Sequence, residues 1–97
     1  MSHVRIGIYA LTGGTAKEVA DLAREGMLPV FQAQPGFKSY GLAETPEGKL
    51  VSVSLWESFG QAQEANDLAA SWVGDNLAGK VRLESTQVGD FLFHENA

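Results

Sequence analysis

Apolar and polar residues alternate from the start of the chain. Val4, Ile6, Ile8 and Ala10 are separated by Arg5, Gly7 and Tyr9, the period of two that predicts a strand within Met1 to Ala10. Thr12-Gly13-Gly14 stops it, and the period then changes. Val19, Ala20, Ala23, Met27, Val30 and Phe31 recur at steps of three and four, one apolar face of a helix. Thr15 and Glu18 have capping-box spacing at its start. Pro29 cannot donate to the preceding turn, which predicts a kink or restart near Gly26. Pro35-Gly36 closes the helix as a tight turn. Phe37 to Thr45 and Lys49 to Glu57 read as two strands joined by the turn Pro46-Glu47-Gly48. Ser58 and Gln61 repeat the cap spacing ahead of a second helix with inner positions Ala62, Ala65, Ala69, Trp72, Val73 and Leu77. Gly79 ends that helix, and Val81 to His94 is a last extended region, broken around Glu84 to Thr86.

The order β-α-β-β-α-β, with right-handed crossovers, predicts a ferredoxin-like α+β fold: an antiparallel four-stranded sheet, order 4-1-3-2, with both helices on one face. Residues 1–97 read as one domain. Alternation divides the strand residues into two sets. Val4, Ile6, Ile8, Tyr40, Leu42, Val51, Val53, Leu55, Phe91 and Phe93 are almost wholly apolar and are expected under the helices. The opposite set mixes small and large apolar residues: Tyr9, Leu11, Phe37, Ser39, Gly41, Ala43, Leu50, Ser52, Ser54, Trp56, Val88, Asp90 and Leu92. A solvated face carries more charge than this. A second copy packed sheet against sheet is therefore expected, with Leu50, Ser52, Ser54, Val88, Asp90 and Leu92 in the interface.

Composition narrows the partners. The chain has 97 residues, 44% of them hydrophobic and 20% charged, enough apolar side chain for a core. A net charge of −5 gives no electrostatic footprint for nucleic acid or an anionic membrane surface. No run approaches the roughly 18 apolar residues of a membrane span, and the N-terminus reads as a strand, not a signal peptide. The absence of cysteine removes disulfides and thiolate chemistry and fits a cytoplasmic location.

The element order, the helix-ending Gln34-Pro35-Gly36-Phe37 and the strand ending Leu55-Trp56-Glu57-Ser58 resemble the dimeric α+β barrel superfamily. Within it they resemble the antibiotic-biosynthesis-monooxygenase-like branch. The resemblance implies a homodimer and a choice among cofactor-independent oxygenases, haem-degrading enzymes and proteins without assigned activity. For haem degradation, Trp56 matches the relatives' distorting tryptophan. Asn66, however, stands where they have the iron-ligating histidine, and Gly7 or its neighbours where they have a strand-one asparagine. An amide is a poor haem ligand, so haem degradation is disfavoured and no cofactor is expected.

For an organic substrate, a flat phenolic ring needs an apolar slot and a few hydrogen-bonding groups. Tyr9, Tyr40, Trp56 and Trp72 are the candidate pocket residues, and Asn66 and Trp72 the weak catalytic candidates. Against these, Asn66 and Trp72 sit on different faces of a regular helix, and no general base accompanies them. His3 and His94, at one sheet end, lack further metal ligands, so no metal site is expected. Asp90 is expected to pair with Arg5 on the neighbouring strand. Thr12-Gly13-Gly14-Thr15 lacks the lysine and spacing of a phosphate loop. Two readings result: cofactor-independent oxidation of a small aromatic or polyketide-like molecule, or a non-catalytic binding or regulatory homodimer.

Overall fold

The computed structural model describes residues 2–95 and has six elements in chain order. They are β1 (His3–Leu11), α1 (Ala16–Gln32), β2 (Phe37–Glu44), β3 (Lys49–Trp56), α2 (Phe59–Asn76) and β4 (Val81–Asp90). Met1, assigned above to the first strand, and residues 96–97, the end of the single-domain assignment, lie outside the described residues. The strands form one antiparallel sheet in the order β2-β3-β1-β4, which is the ferredoxin-like arrangement. No described helix is long and apolar enough to cross a membrane.

Both helices start at side-chain caps. The Ser58 hydroxyl accepts from the Gln61 amide at 3.2 Å, and Gln61 Oε1 accepts from the Ser58 amide at 3.1 Å, a complete capping box. At α1 only half of the box forms: Thr15 accepts from the Glu18 amide at 3.1 Å, while the Glu18 carboxylate pairs with Lys80. α1 also runs unbroken through Pro29, contrary to the expected restart. One missing backbone bond is outweighed by the burial of Met27 and Phe31 on either side of it. Gly26 answers a different need, because a Cβ there would lie 2.5 Å from Trp72 Cζ2. The glycine is where α2's tryptophan meets α1.

β4 is likewise continuous. In place of the expected break is a bulge: Ile8 pairs with Ser85 and Tyr9 with Leu83, leaving Glu84 as the extra residue. The strand ends at Asp90, so the following segment leaves the sheet. Phe93 is 80% and Leu92 93% exposed, and Phe91 stacks on His94, which removes Phe91 and Phe93 from the set expected under the helices.

The sheet faces are the reverse of the expected ones on three strands. Arg5, Tyr9, Leu50, Ser52, Ser54 and Trp56 are buried under the helices, whereas Val4, Ile6, Ile8, Val51, Val53 and Leu55 lie half-exposed on the open face. Val88, opposite Arg5, packs against the core on the helix side. Leu50, Ser52, Ser54 and Val88 are therefore interior residues of their own chain and not an outward-facing surface. On β2 the expected sides hold for Tyr40 and Leu42, which face the helices, and for Ser39, Gly41 and Ala43, which are exposed. Phe37 crosses to the helix side, because a register shift at Lys38 pairs it with Trp56.

The core has two connected parts. One gathers Met27, Phe31 and Trp56 over the small residues Ala62, Ala65 and Ala69 of α2, with Phe31 edge-on to both Tyr40 and Trp56. The other joins Tyr9, Val19, Leu50 and Leu77, and Trp72 packs against both.

Candidate functional site

Antiparallel pairing sets Arg5 opposite Ser54, Gly7 opposite Ser52 and Tyr9 opposite Leu50, so a cation and three hydroxyls share the helix-covered face of the two central strands. Arg5 is 1% exposed. Its Nε donates to Ser54 Oγ at 3.0 Å, its Nη2 donates to Ser52 Oγ, and its guanidinium carbon lies 5.4 Å from the Phe31 ring centroid. Ser54 Oγ also accepts from Trp56 Nε1 at 2.9 Å, which holds the tryptophan and the arginine on one hydroxyl. Gly7 makes room for the Tyr9 ring: a Cβ there would come within 3.1 Å of Tyr9 Cε1.

The charge of Arg5 has no opposite number among the described residues. Among the described residues, the ion pairs join His3 to Asp90, Lys17 to Asp21, Lys49 and Arg82 to Glu84, and Lys80 to Glu18. None involves Arg5. Burial lowers its pKa, and the groups that act against that fall are Tyr9 and Tyr40. Burial in turn raises the pKa of Tyr40, with Arg5 and the neighbouring Ser52 hydroxyl opposing the rise. Tyr40 is a neutral phenol near neutral pH, so it supplies a dipole and not a counter-charge.

Beside this cluster is a small, mostly apolar cavity of about 30 Å³ between helices and sheet, whose polar wall is Tyr9, Tyr40 and Ser52 and whose far wall includes Trp72. That volume holds a water or two and no aromatic ring. Ala23, Tyr40 and Leu42 also wall a groove of about 310 Å³ between α1 and β2. The cavity and the groove are thus neighbours across three shared side chains.

Of the pocket candidates, Tyr9, Tyr40 and Trp72 meet at this cavity, and Trp56 does not: it is buried against Phe31 and Phe37 and borders a separate small crevice beside Pro35 and Gln61. Asn66 is absent from the cavity wall, so it and Trp72 are not brought together. Its Oδ1 is nevertheless buried without a hydrogen-bond partner among the described residues. Asp90 pairs with His3 Nδ1 at 2.5 Å in place of Arg5, whose side chain turns inward two residues along β1. Leu92 lies beyond the sheet, fully open to solvent. Among the described residues no three His, Cys, Asp or Glu side chains cluster as metal ligands.

Arg5 is the residue that sequence reasoning misplaced. Its signal was present: a lone arginine alternating with branched apolar residues on β1, with serines at the two matching positions of β3.

No family model and no curated protein matches the chain. Solved structures do. A dimeric ferredoxin-like protein from an uncultured marine organism superposes with a TM-score of 0.72 at 10% identity, over 100% of both chains. SnoaB from Streptomyces nogalater, a cofactor-independent oxygenase solved as a variant with one asparagine replaced by alanine, gives 0.69 at 16% identity, over 96% of this chain and 95% of that one. A candidate antibiotic biosynthesis monooxygenase from Chloroflexus aurantiacus gives 0.66 at 14% identity, over 99% and 98%. The chain spans 66% of the longer MupZ chain from Pseudomonas fluorescens. At these identities the likeness is one of fold alone, the ferredoxin-like arrangement of two helices on a four-stranded antiparallel sheet.

Proposed function

We propose that the chain works as a homodimer that takes a small phenolic or enolic aromatic molecule between its helices and its sheet and oxidises it with dioxygen, without a cofactor. The observation that carries this reading is the convergence of Tyr9, Tyr40 and Ser52 with Trp72 on one apolar cavity. Hydroxyls on one wall orient a ring and stabilise its oxyanion, while apolar walls exclude water from the reacting carbon. In the reaction the substrate gains one oxygen atom and loses two hydrogens, and the second oxygen atom of dioxygen leaves as water. The cavity is smaller than a ring, so this reading requires it to widen, and Tyr40 and Leu42, which also wall the α1–β2 groove, are the side chains whose movement would join the two. The description of SnoaB as a cofactor-independent oxygenase supports the reaction class.

The homodimer is supported by the open sheet face, where six branched apolar side chains on β1 and β3 lie side by side without cover. A second copy laid across it completes the barrel. One observation favours the second reading, a homodimer that binds without reacting: among the described residues no carboxylate or imidazole lines the cavity to serve as a general base.

The test is oxygen uptake with a panel of dihydroxynaphthalenes, run alongside tryptophan fluorescence. Protein-dependent uptake lost in Tyr40→Phe and Ser52→Ala supports oxidation. Quenching without uptake supports the binding reading, and neither signal with any compound refutes both.

A further inference from the structure

We infer that the cavity between helices and sheet is an anion site, whose ligand carries one negative oxygen group, a phenolate, enolate or carboxylate, as the counter-charge of Arg5. This rests on the proposal that a small aromatic molecule enters that cavity, and it specifies the ligand's charge.

A guanidinium withdrawn from water loses solvation that neutral neighbours restore only in part. Serine hydroxyls satisfy two of the five N–H donors of Arg5, and the Phe31 ring offers a weak negative face. Dipoles satisfy donors without neutralising the charge. Among the described residues no carboxylate lies within ion-pair distance of it: every ion pair is made by another cation. The neighbouring Tyr40 is pushed toward its neutral form, so it does not serve as an internal anion. A chain of net charge −5 with seven basic residues has thus placed one of them, alone, in its interior.

The position of that charge supplies the specificity. Ser52 is both an acceptor for Arg5 and part of the cavity wall, and Tyr9, beside Arg5, is part of the same wall. A ligand oxygen in the cavity is therefore one hydroxyl away from the guanidinium. At that range, out of water, a negative oxygen is favoured over a neutral one. Trp72 and Val73 on α2 and Leu77 at its C-terminal cap offer only apolar surface to the rest of the ligand, so a ring with a single charged end is the complementary shape.

The test uses 2-naphthoate and its neutral isostere 2-naphthamide, titrated into the full chain at pH 7.5 by calorimetry and tryptophan fluorescence. The expected result is binding of naphthoate about tenfold or more tighter than naphthamide, a preference that collapses to within about twofold in Arg5→Met while naphthamide affinity is kept. Arg5→Gln reads the same ratio with a side chain that still hydrogen-bonds Ser52, should the methionine variant not refold. Equal binding of the two probes, binding of neither at millimolar concentration, or an unchanged preference in both variants overturns the inference. Neither probe has a hydroxyl to oxidise. A failed oxygen-uptake assay with intact naphthoate preference removes the oxidation and keeps the anion site.

Discussion

A cation buried to receive a ligand burdens the empty protein, so its removal is expected to stabilise the fold. In Arg5→Met the side chain keeps an unbranched stem of similar reach and loses the charge. Two hydrogen bonds to a charged donor disappear, each worth about 1.5–3 kcal/mol against an unsatisfied state. The acceptor shared with the indole is not orphaned, since Ser54 keeps the Trp56 N–H at 2.9 Å, and Ser52 borders the cavity. Against that loss stands the desolvation of a guanidinium with no counter-ion, several kcal/mol, and the transfer of an apolar side chain into a site only 1% exposed, about 1.5–3 kcal/mol. The balance gives Arg5→Met about 1–4 kcal/mol more stability than the parent, in the range found when buried ionic groups are replaced by apolar ones. For a domain of this size that is a rise in Tm of roughly 4–8 °C per kcal/mol. Urea unfolding followed by tryptophan emission, without ligand and at one fixed protomer concentration, measures it. A loss of more than about 1 kcal/mol would mean that Arg5 is a structural strut already satisfied where it stands, and the counter-charge argument would fall with it.

Four further outcomes are expected. Gly26→Ala is destabilising by about 1–3 kcal/mol despite the better helix former, because its Cβ meets the Trp72 ring; Trp72→Leu in the same chain relieves the clash, so a double-mutant cycle in urea gives a positive coupling and additivity refutes the contact. Sedimentation gives about twice the 10.4 kDa chain mass at micromolar concentration, and Ile6→Lys on the open face yields a folded monomer; a parent that is already monomeric contradicts the covered face. Burial raises the folded pKa of Tyr40 above 10.0, so its contribution to stability is whole below pH 10 and is lost as pH rises through the folded value. Ultraviolet titration is expected to find a phenol ionising late, which Tyr40→Phe removes together with that alkaline loss. Haem titration gives no stoichiometric Soret shift, since Asn66 offers an amide where an imidazole is needed; a clear shift would mean that the alignment of Asn66 with the iron-ligating position is wrong.

The elements were readable because each is signalled locally. Ser58 and Gln61 announce α2 and form the box their spacing predicts. The stripe Val19, Ala23, Met27, Phe31 announces the buried face of α1. Pro29 was misleading for the opposite reason: its penalty is local, and the packing that absorbs it comes from β2, β3 and α2, which a helical pattern does not contain. The bulge at Glu84 lies between two strands and leaves a weakened alternation that reads as a break.

The sides of the sheet were misread through a physical premise, that the most apolar set of strand residues belongs under the helices. The hairpin alone argues against it. Its turn pairs even-numbered residues of β2 with even-numbered residues of β3, so Tyr40 and Leu42 must share a face with Leu50, Ser52 and Ser54 and not with Val51 and Val53. Once β3 is turned, its pairing with β1 carries Arg5 inward and Ile6 outward. In the proposed homodimer the premise fails, because a chain that pairs with its own copy would have two interiors. The one between sheets would be built from flat faces alone, which branched side chains such as Val4, Ile6, Val53 and Leu55 suit. The one under the helices is largely filled by Phe31, Trp56 and Trp72 and by the close approach of alanines, which leaves the central strands free to carry a charge and hydroxyls. The less apolar face is therefore the one to search for chemistry, and Arg5, Ser52 and Tyr9 occupy it.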